Sequence, residues 1–146
     1  MPSRSDSPLS RPPGSPARGV IGYVAVAALA GLLAYFSLRS SSYLSEIGWL
    51  PRRLARWADH HGVLRNTVAY LPFGLLVFGV IGRGWRPVLA AASFAVAIEV
   101  PQHWMPHREF DLRDIAAGWA GLAASWLLVW FWAGVRRVLP EPVSRP

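Results

Sequence analysis

From Gly19 to Leu38 the chain carries no charged residue. A run of about 20 apolar residues is what an α-helix needs to cross the hydrocarbon core of a bilayer. This feature constrains the fold more than any other, because backbone groups in lipid must find their hydrogen bonds within the segment or in a closed barrel. Further apolar runs follow at 66–82, 87–101 and 115–135. Only 16% of the residues are charged, and 53% are hydrophobic; soluble domains carry about 25% charge. The 146 residues leave no room for a second independent core. The expected architecture is therefore an all-α membrane protein, with four transmembrane helices (19–38, 66–82, 87–101 and 115–135) in one compact bundle.

The segments around these runs have separate characters. Residues 1–18 are rich in Ser, Pro and Arg without apolar periodicity, which reads as a disordered tail, and residues 138–146 read as a short C-terminal tail. The arginines before the first run are also a feature of secretory signal peptides. However, the run exceeds the usual 7–15 residue signal core, and Ser40-Ser41-Ser42 is a weak cleavage site, so an uncleaved anchor is expected. Between the first two runs, Tyr43–Gly62 mixes Leu44, Ile47, Trp49, Leu50, Leu54 and Trp57 with Arg52, Arg53, Arg56 and Asp59. Two readings fit: a short helix lying in the membrane interface, begun near Pro51, or a loop with snorkelling arginines. Pro72 is expected to kink the second span.

Every one of the 15 basic residues is Arg, and the net charge is +7. These arginines lie between the apolar runs and at the two ends, a distribution that suits phospholipid headgroups; nucleic acid is not an expected partner. Alternating spans put eight arginines on one side and seven on the other. The pairs Arg83/Arg86 and Arg136/Arg137 sit directly at helix ends, which favours both termini in the cytoplasm. The expected location is the bacterial inner (cytoplasmic) membrane, in a multi-pass arrangement; the absence of Lys beside abundant Arg, Ala, Gly and Pro fits a GC-rich bacterial genome. There is no Cys, so disulfides and thiolate metal sites are excluded.

The polar residues that stand out lie between the third and fourth runs. Glu99 follows a dozen apolar or small residues, a depth where ionisable groups are costly and usually face a partner or a wet cavity. Glu99 and Gln102 share a helix face at a spacing of three. Arg108, Asp111 and Asp114 are spaced in the same way where the fourth span begins. For the aspartates a second reading stays open, as caps of free N–H groups at a helix N-terminus. For Glu99 the alternative is a helix-pairing hydrogen bond to Gln102 or Arg108, and for Arg108 a headgroup contact or salt bridge. His103 and His107 are four apart, but Pro106 interrupts the helix that would align them, so no metal and no cofactor is expected. His60 and His61 are adjacent and read as interfacial.

With these residues in hand, the stretch from Arg65 to Ser125 resembles the VanZ-like family of small bacterial membrane proteins. The resemblance rests on Asn66, Pro72-Phe73-Gly74, Ile98-Glu99, Gln102, Arg108, Asp111 and Asp114, in the family's order and spacing. It departs from the pattern at Gly118, where the family commonly has Asn, and at Gly121 and Ser125 in place of two glycines. What the resemblance implies is a VanZ-like transmembrane domain over 19–137 and a place in the cell envelope. The family's name also brings a link to glycopeptide antibiotic resistance, without an established reaction.

The functional expectation is binding of an anionic envelope or lipid-linked group where the third span meets the fourth, with Arg108 contacting the anion. Glu99, Asp111 and Asp114 would position Arg108 or meet an amine, and Gln102 completes the candidate binding cluster. The expected partners are membrane lipids and a lipid-linked cell-wall intermediate, with a homo-oligomer left open. The alternatives are a membrane-embedded enzyme acting on lipid phosphates, with the carboxylates as acid–base groups or cation ligands, and a small proton-linked transporter using Glu99.

Overall fold

The computed structural model describes residues 16–39, 43–105 and 110–138, and it is helical throughout, with no strand among them. Helix α1 spans Pro16–Ser37 and α2 spans Arg52–His60; a 3-10 turn at Leu44–Glu46 lies between them. Helix α3 spans Gly62–Leu76 and continues as a π-helical turn over Val77–Ile81. Helix α4 spans Trp85–Glu99, followed by a 3-10 segment at Val100–Trp104, and α5 spans Leu112–Val138.

Three helices are long and apolar enough to cross a membrane: Gly19–Ser37, Gly62–Ile81 and Leu112–Val138. Helix α4, with 15 residues, is about 22 Å long at ~1.5 Å per residue, short of the roughly 30 Å hydrocarbon core. The sequence led us to expect the second span at 66–82 and the fourth at 115–135. Both helices begin earlier, at Gly62 and Leu112, because the polar residues Arg65 and Asp114 are helical.

Pro72 lies inside α3 without ending it. Its ring removes one intrahelical donor, and five residues on the helix widens to π geometry, where Gly82 N–H reaches the Val77 carbonyl at 3.3 Å. Gly82 then reverses the chain at φ +125°, a conformation open to glycine because it lacks a Cβ.

The centre of the bundle is the contact of α3 with α5, which run in the same direction. A Cβ on Gly121 would lie 2.3 Å from the Thr67 carbonyl oxygen, one on Gly118 would lie 3.1 Å from the Tyr70 ring, and one on Gly74 would lie 2.7 Å from Ser125. The small residues therefore set how closely the backbones approach, as in tightly packed membrane helices. The Ser125 hydroxyl shares its proton between the Leu71 carbonyl at 2.7 Å and the Gly121 carbonyl at 2.8 Å, which ties the two helices together. Phe73, Val77, Phe78, Ile98 and Leu122 fill the core beside this contact, and the Phe73 and Phe94 rings meet at 5.1 Å.

Helices α1 and α4 run the opposite way to α3 and α5. Gly22 near the start of α1 abuts Val80 near the end of the α3 segment. On α4, the Ala92 carbonyl accepts from Trp119 Nε1 at 3.1 Å. The C-termini of α1 and α4 and the N-termini of α3 and α5 thus gather at one end of the bundle.

Candidate functional site

At that end, α1, α3, α4 and the Tyr43–His60 segment enclose a cavity of about 370 Å³. Its apolar wall is a stripe on α1, formed by Leu29, Leu32, Leu33 and Phe36, facing Ala95 and Ile98 of α4. The spacing of three and four residues puts the α1 side chains on one helix face. Its polar rim holds Arg39, Arg65, Asn66, Tyr70, Glu99, Gln102 and Asp114.

The five residues singled out in the sequence take different places. Glu99, Gln102 and Asp114 all line the cavity. Glu99 is buried at 5% exposure and Gln102 at 4%. Gln102 Nε2 donates to Glu99 Oε2 at 3.1 Å, and the Asp111 backbone N–H donates to Glu99 Oε1 at 3.2 Å. Both carboxylate oxygens are therefore engaged by protein donors, which satisfies the buried acid. Asp111 itself is exposed and caps α5: its Oδ1 accepts from Arg113 N–H at 2.8 Å, the geometry of an N-cap aspartate. It does not line the cavity. Arg108 and His107 lie outside the described residues, as do residues 1–15, Ser40–Ser42 and 139–146.

The cations at the rim are Arg39 and Arg65, which the sequence reading had assigned only to a loop count. The signal that could have found them is their position just beyond an apolar run: Arg39 ends the first, and Arg65 precedes the second. Tyr70 was hidden among apolar neighbours.

The outer wall of the cavity is made by Leu44, Ile47, Trp49 and Leu50. This cap is stapled by Asp59 of α2, whose Oδ1 and Oδ2 accept from the backbone N–H groups of Leu44 at 2.7 Å and Ser45 at 3.1 Å. Arg65 Nη1 lies 3.9 Å from Asp59 Oδ1. Burial opposes ionisation of Asp59, but the hydrogen bonds from Leu44 and Ser45 and the charge of Arg65 outweigh it and hold its pKa below the usual 3.8. Helix α2 buries Ala55 and Ala58 and turns its arginines outward. His60 and His61 hydrogen-bond through Nδ1 to the Arg56 and Trp57 carbonyls, each at 2.8 Å, closing the end of that helix.

No three of His, Cys, Asp and Glu come together as metal ligands among the described residues. Glu99 and Asp111 are instead joined by a backbone hydrogen bond, so the cluster is a structural junction bordering a cavity.

The family model for VanZ/LLP1 matches residues 23–133. The chain belongs to the VanZ/LLP1 family. The match takes in α3 and α4 whole, most of α1 and α5, the cap between α1 and α3, and every described residue of the cavity rim. No curated protein and no solved structure matches the chain. In this VanZ/LLP1 member, Gly118 has a physical reason: the Tyr70 ring lies where a side chain at that position would go, and Tyr70 lines the cavity.

Proposed function

We propose that this VanZ/LLP1 protein is a four-span protein of the bacterial cytoplasmic membrane that holds an amphiphile with an anionic head group in the cavity beside α1. The observation that carries this reading is the cavity lining: an apolar stripe along α1 with two arginines, Arg39 and Arg65, at its rim. Leu32, on that stripe, is 50% exposed although it lines the cavity, which fits a slot open to an alkyl chain. Guanidinium groups pair well with phosphate or carboxylate. Glu99 and Gln102 then act as positioning residues that hold α5 and the rim in place, and Asp114 lies beside the head group. A lipid phosphate of the kind that carries cell-wall intermediates has the required chemistry.

Four spans are supported by the alternating directions of α1, α3, α4 and α5. The 3-10 segment at Val100–Trp104 continues the α4 rod by about 10 Å at ~2.0 Å per residue, bringing it near the bilayer thickness. Cytoplasmic termini are supported by the pairs Arg83/Arg86 and Arg136/Arg137 set directly at helix ends; α2 then lies in the outer interface.

The chain has no Cys, so Leu33→Cys is a unique label site. A long-chain polyprenyl phosphate is expected to protect Cys at position 33 from a membrane-permeant maleimide, while the parent alcohol protects it less. Equal labelling with and without the phosphate contradicts the proposal. The resistance link has its own test: cells carrying the wild type are expected to tolerate a glycopeptide better than cells carrying Arg65→Gln, and equal tolerance removes the link.

A further inference from the structure

Acidic residues are segregated along the bundle, whereas arginines lie at both ends. Among the described residues the acids Glu46, Asp59, Glu99, Asp111 and Asp114 all lie at the cavity end, while the opposite end carries Arg83, Arg86, Arg136 and Arg137 and no acid. Three of those arginines lie over indole rings: Arg83 Cζ is 4.9 Å from the Trp130 centroid, Arg86 is 5.4 Å from Trp85, and Arg136 is 5.4 Å from Trp132.

Arg83 differs from the others. It sits in the turn between the π segment and α4, and its carbonyl accepts from Trp126 Nε1 at 3.2 Å, so its backbone is anchored to α5. Its Nη1 is buried and has no hydrogen-bond partner among the described residues, although the side chain as a whole is only half-buried. A cation held partly out of water, with no carboxylate beside it among the described residues, is unusual in a folded protein. The Trp130 face offsets part of the charge and fixes the plane of the guanidinium.

We propose that Arg83 is the seat of an anionic phospholipid phosphate, a second lipid site at the end of the bundle opposite the cavity. With Nη1 turned inward, the rest of the half-buried guanidinium offers the planar donors suited to phosphate oxygens. The surrounding Trp side chains mark this level as the membrane–water boundary, where lipid phosphates lie and where anionic lipids attract clustered arginines. Arg86 and Arg137 raise the local positive potential, and Arg83 alone of the four combines an anchored backbone, a stacked ring and a half-buried guanidinium. This site does not depend on the cavity being a binding site.

Native mass spectrometry of the full chain in neutral detergent tests it, with phosphatidylglycerol and phosphatidylcholine added in parallel. Wild type is expected to retain one phosphatidylglycerol about tenfold in preference to phosphatidylcholine. Arg83→Gln is expected to abolish the preference, and Arg113→Gln, at the cavity end, to keep it. If Arg83→Gln cannot be purified folded, Arg83→Lys serves instead, with the preference expected to fall several-fold as the planar fork is lost. Millimolar inorganic phosphate is expected to leave lipid retention unchanged. Equal retention of the two lipids by wild type, an undiminished preference in either Arg83 variant, or complete displacement by inorganic phosphate overturns the proposal.

Discussion

The Asp111 backbone N–H and Glu99 Oε1, twelve positions apart in sequence, meet at 3.2 Å. The bond joins the last residue of α4 to the residue that caps α5, and the same carboxylate accepts from Gln102 through its other oxygen. A buried acid thus fixes how the chain passes from α4 into α5, next to the cavity that Glu99 also lines. Removing it strands two donors. Glu99→Ala is expected to destabilise the protein by about 1–3 kcal/mol, the cost of unmet buried partners. Glu99→Gln keeps one acceptor oxygen and should cost less. Thermal melting in detergent reads both, and equal midpoints for wild type and Glu99→Ala would remove the junction from the account.

Gly121 carries the closest approach of α3 and α5, where an added Cβ would stand 2.3 Å from the Thr67 carbonyl oxygen. Backbone cannot yield as a side-chain end can, so Gly121→Ala is expected to cost about 1–3 kcal/mol by overpacking. Gly134, on the same helix, has nothing within 4 Å of the corresponding position. Gly134→Ala is expected to be neutral or stabilising by up to about 1 kcal/mol, through helix propensity alone. The pair measured side by side separates packing from propensity.

The Asp59 staple makes the cap sensitive to acid. Its folded-state pKa lies below 3.8, so the stabilisation is fully present above the unfolded value of about 3.9 and is lost as pH falls through the folded pKa. The wild-type melting midpoint should drop below about pH 4 by more than that of Asp59→Asn, which lacks the ionisable group. Parallel pH profiles of the two proteins would contradict the assignment.

The alternating helix directions make a prediction about sidedness. Single cysteines placed at Gly84 and Gly48 are expected to label from opposite faces of the membrane in right-side-out vesicles, Gly84 from the cytoplasmic face. If both label from one face, α3 does not span and the topology is wrong.

Much of the helical architecture was legible from apolar run length, since nothing else satisfies the backbone across such a run in lipid. The shortness of α4 was also visible, because Glu99 interrupts its apolar character. Helix starts were harder to read. Arg65 looks like a loop residue in a linear reading, yet a cavity end lets a polar side chain remain inside a helix. Glu99 and Gln102 were identifiable by their spacing and depth. Asp111 was ambiguous between capping and binding, and only the position of its Oδ1 on Arg113 N–H separates the two. The role of Arg39 and Arg65 at one rim is a tertiary fact, because residues 26 positions apart meet there through the antiparallel course of α1 and α3. Gly121 and Ser125 carried a sequence signal for close packing, but Gly118 gave none for the Tyr70 ring that a Cβ there would meet at 3.1 Å.

The central claim is that the cavity beside α1 takes the chain of an anionic amphiphile whose head meets Arg39 and Arg65. The most direct measurement is equilibrium binding of a long-chain polyprenyl phosphate to purified wild type, Arg65→Gln and Leu33→Trp, the last to fill the apolar slot. Saturable binding by wild type is predicted, weakened about tenfold in Arg65→Gln for the loss of one charge-assisted pair and abolished in Leu33→Trp. Equal binding by all three folded proteins, or no saturable binding by wild type, would contradict the account.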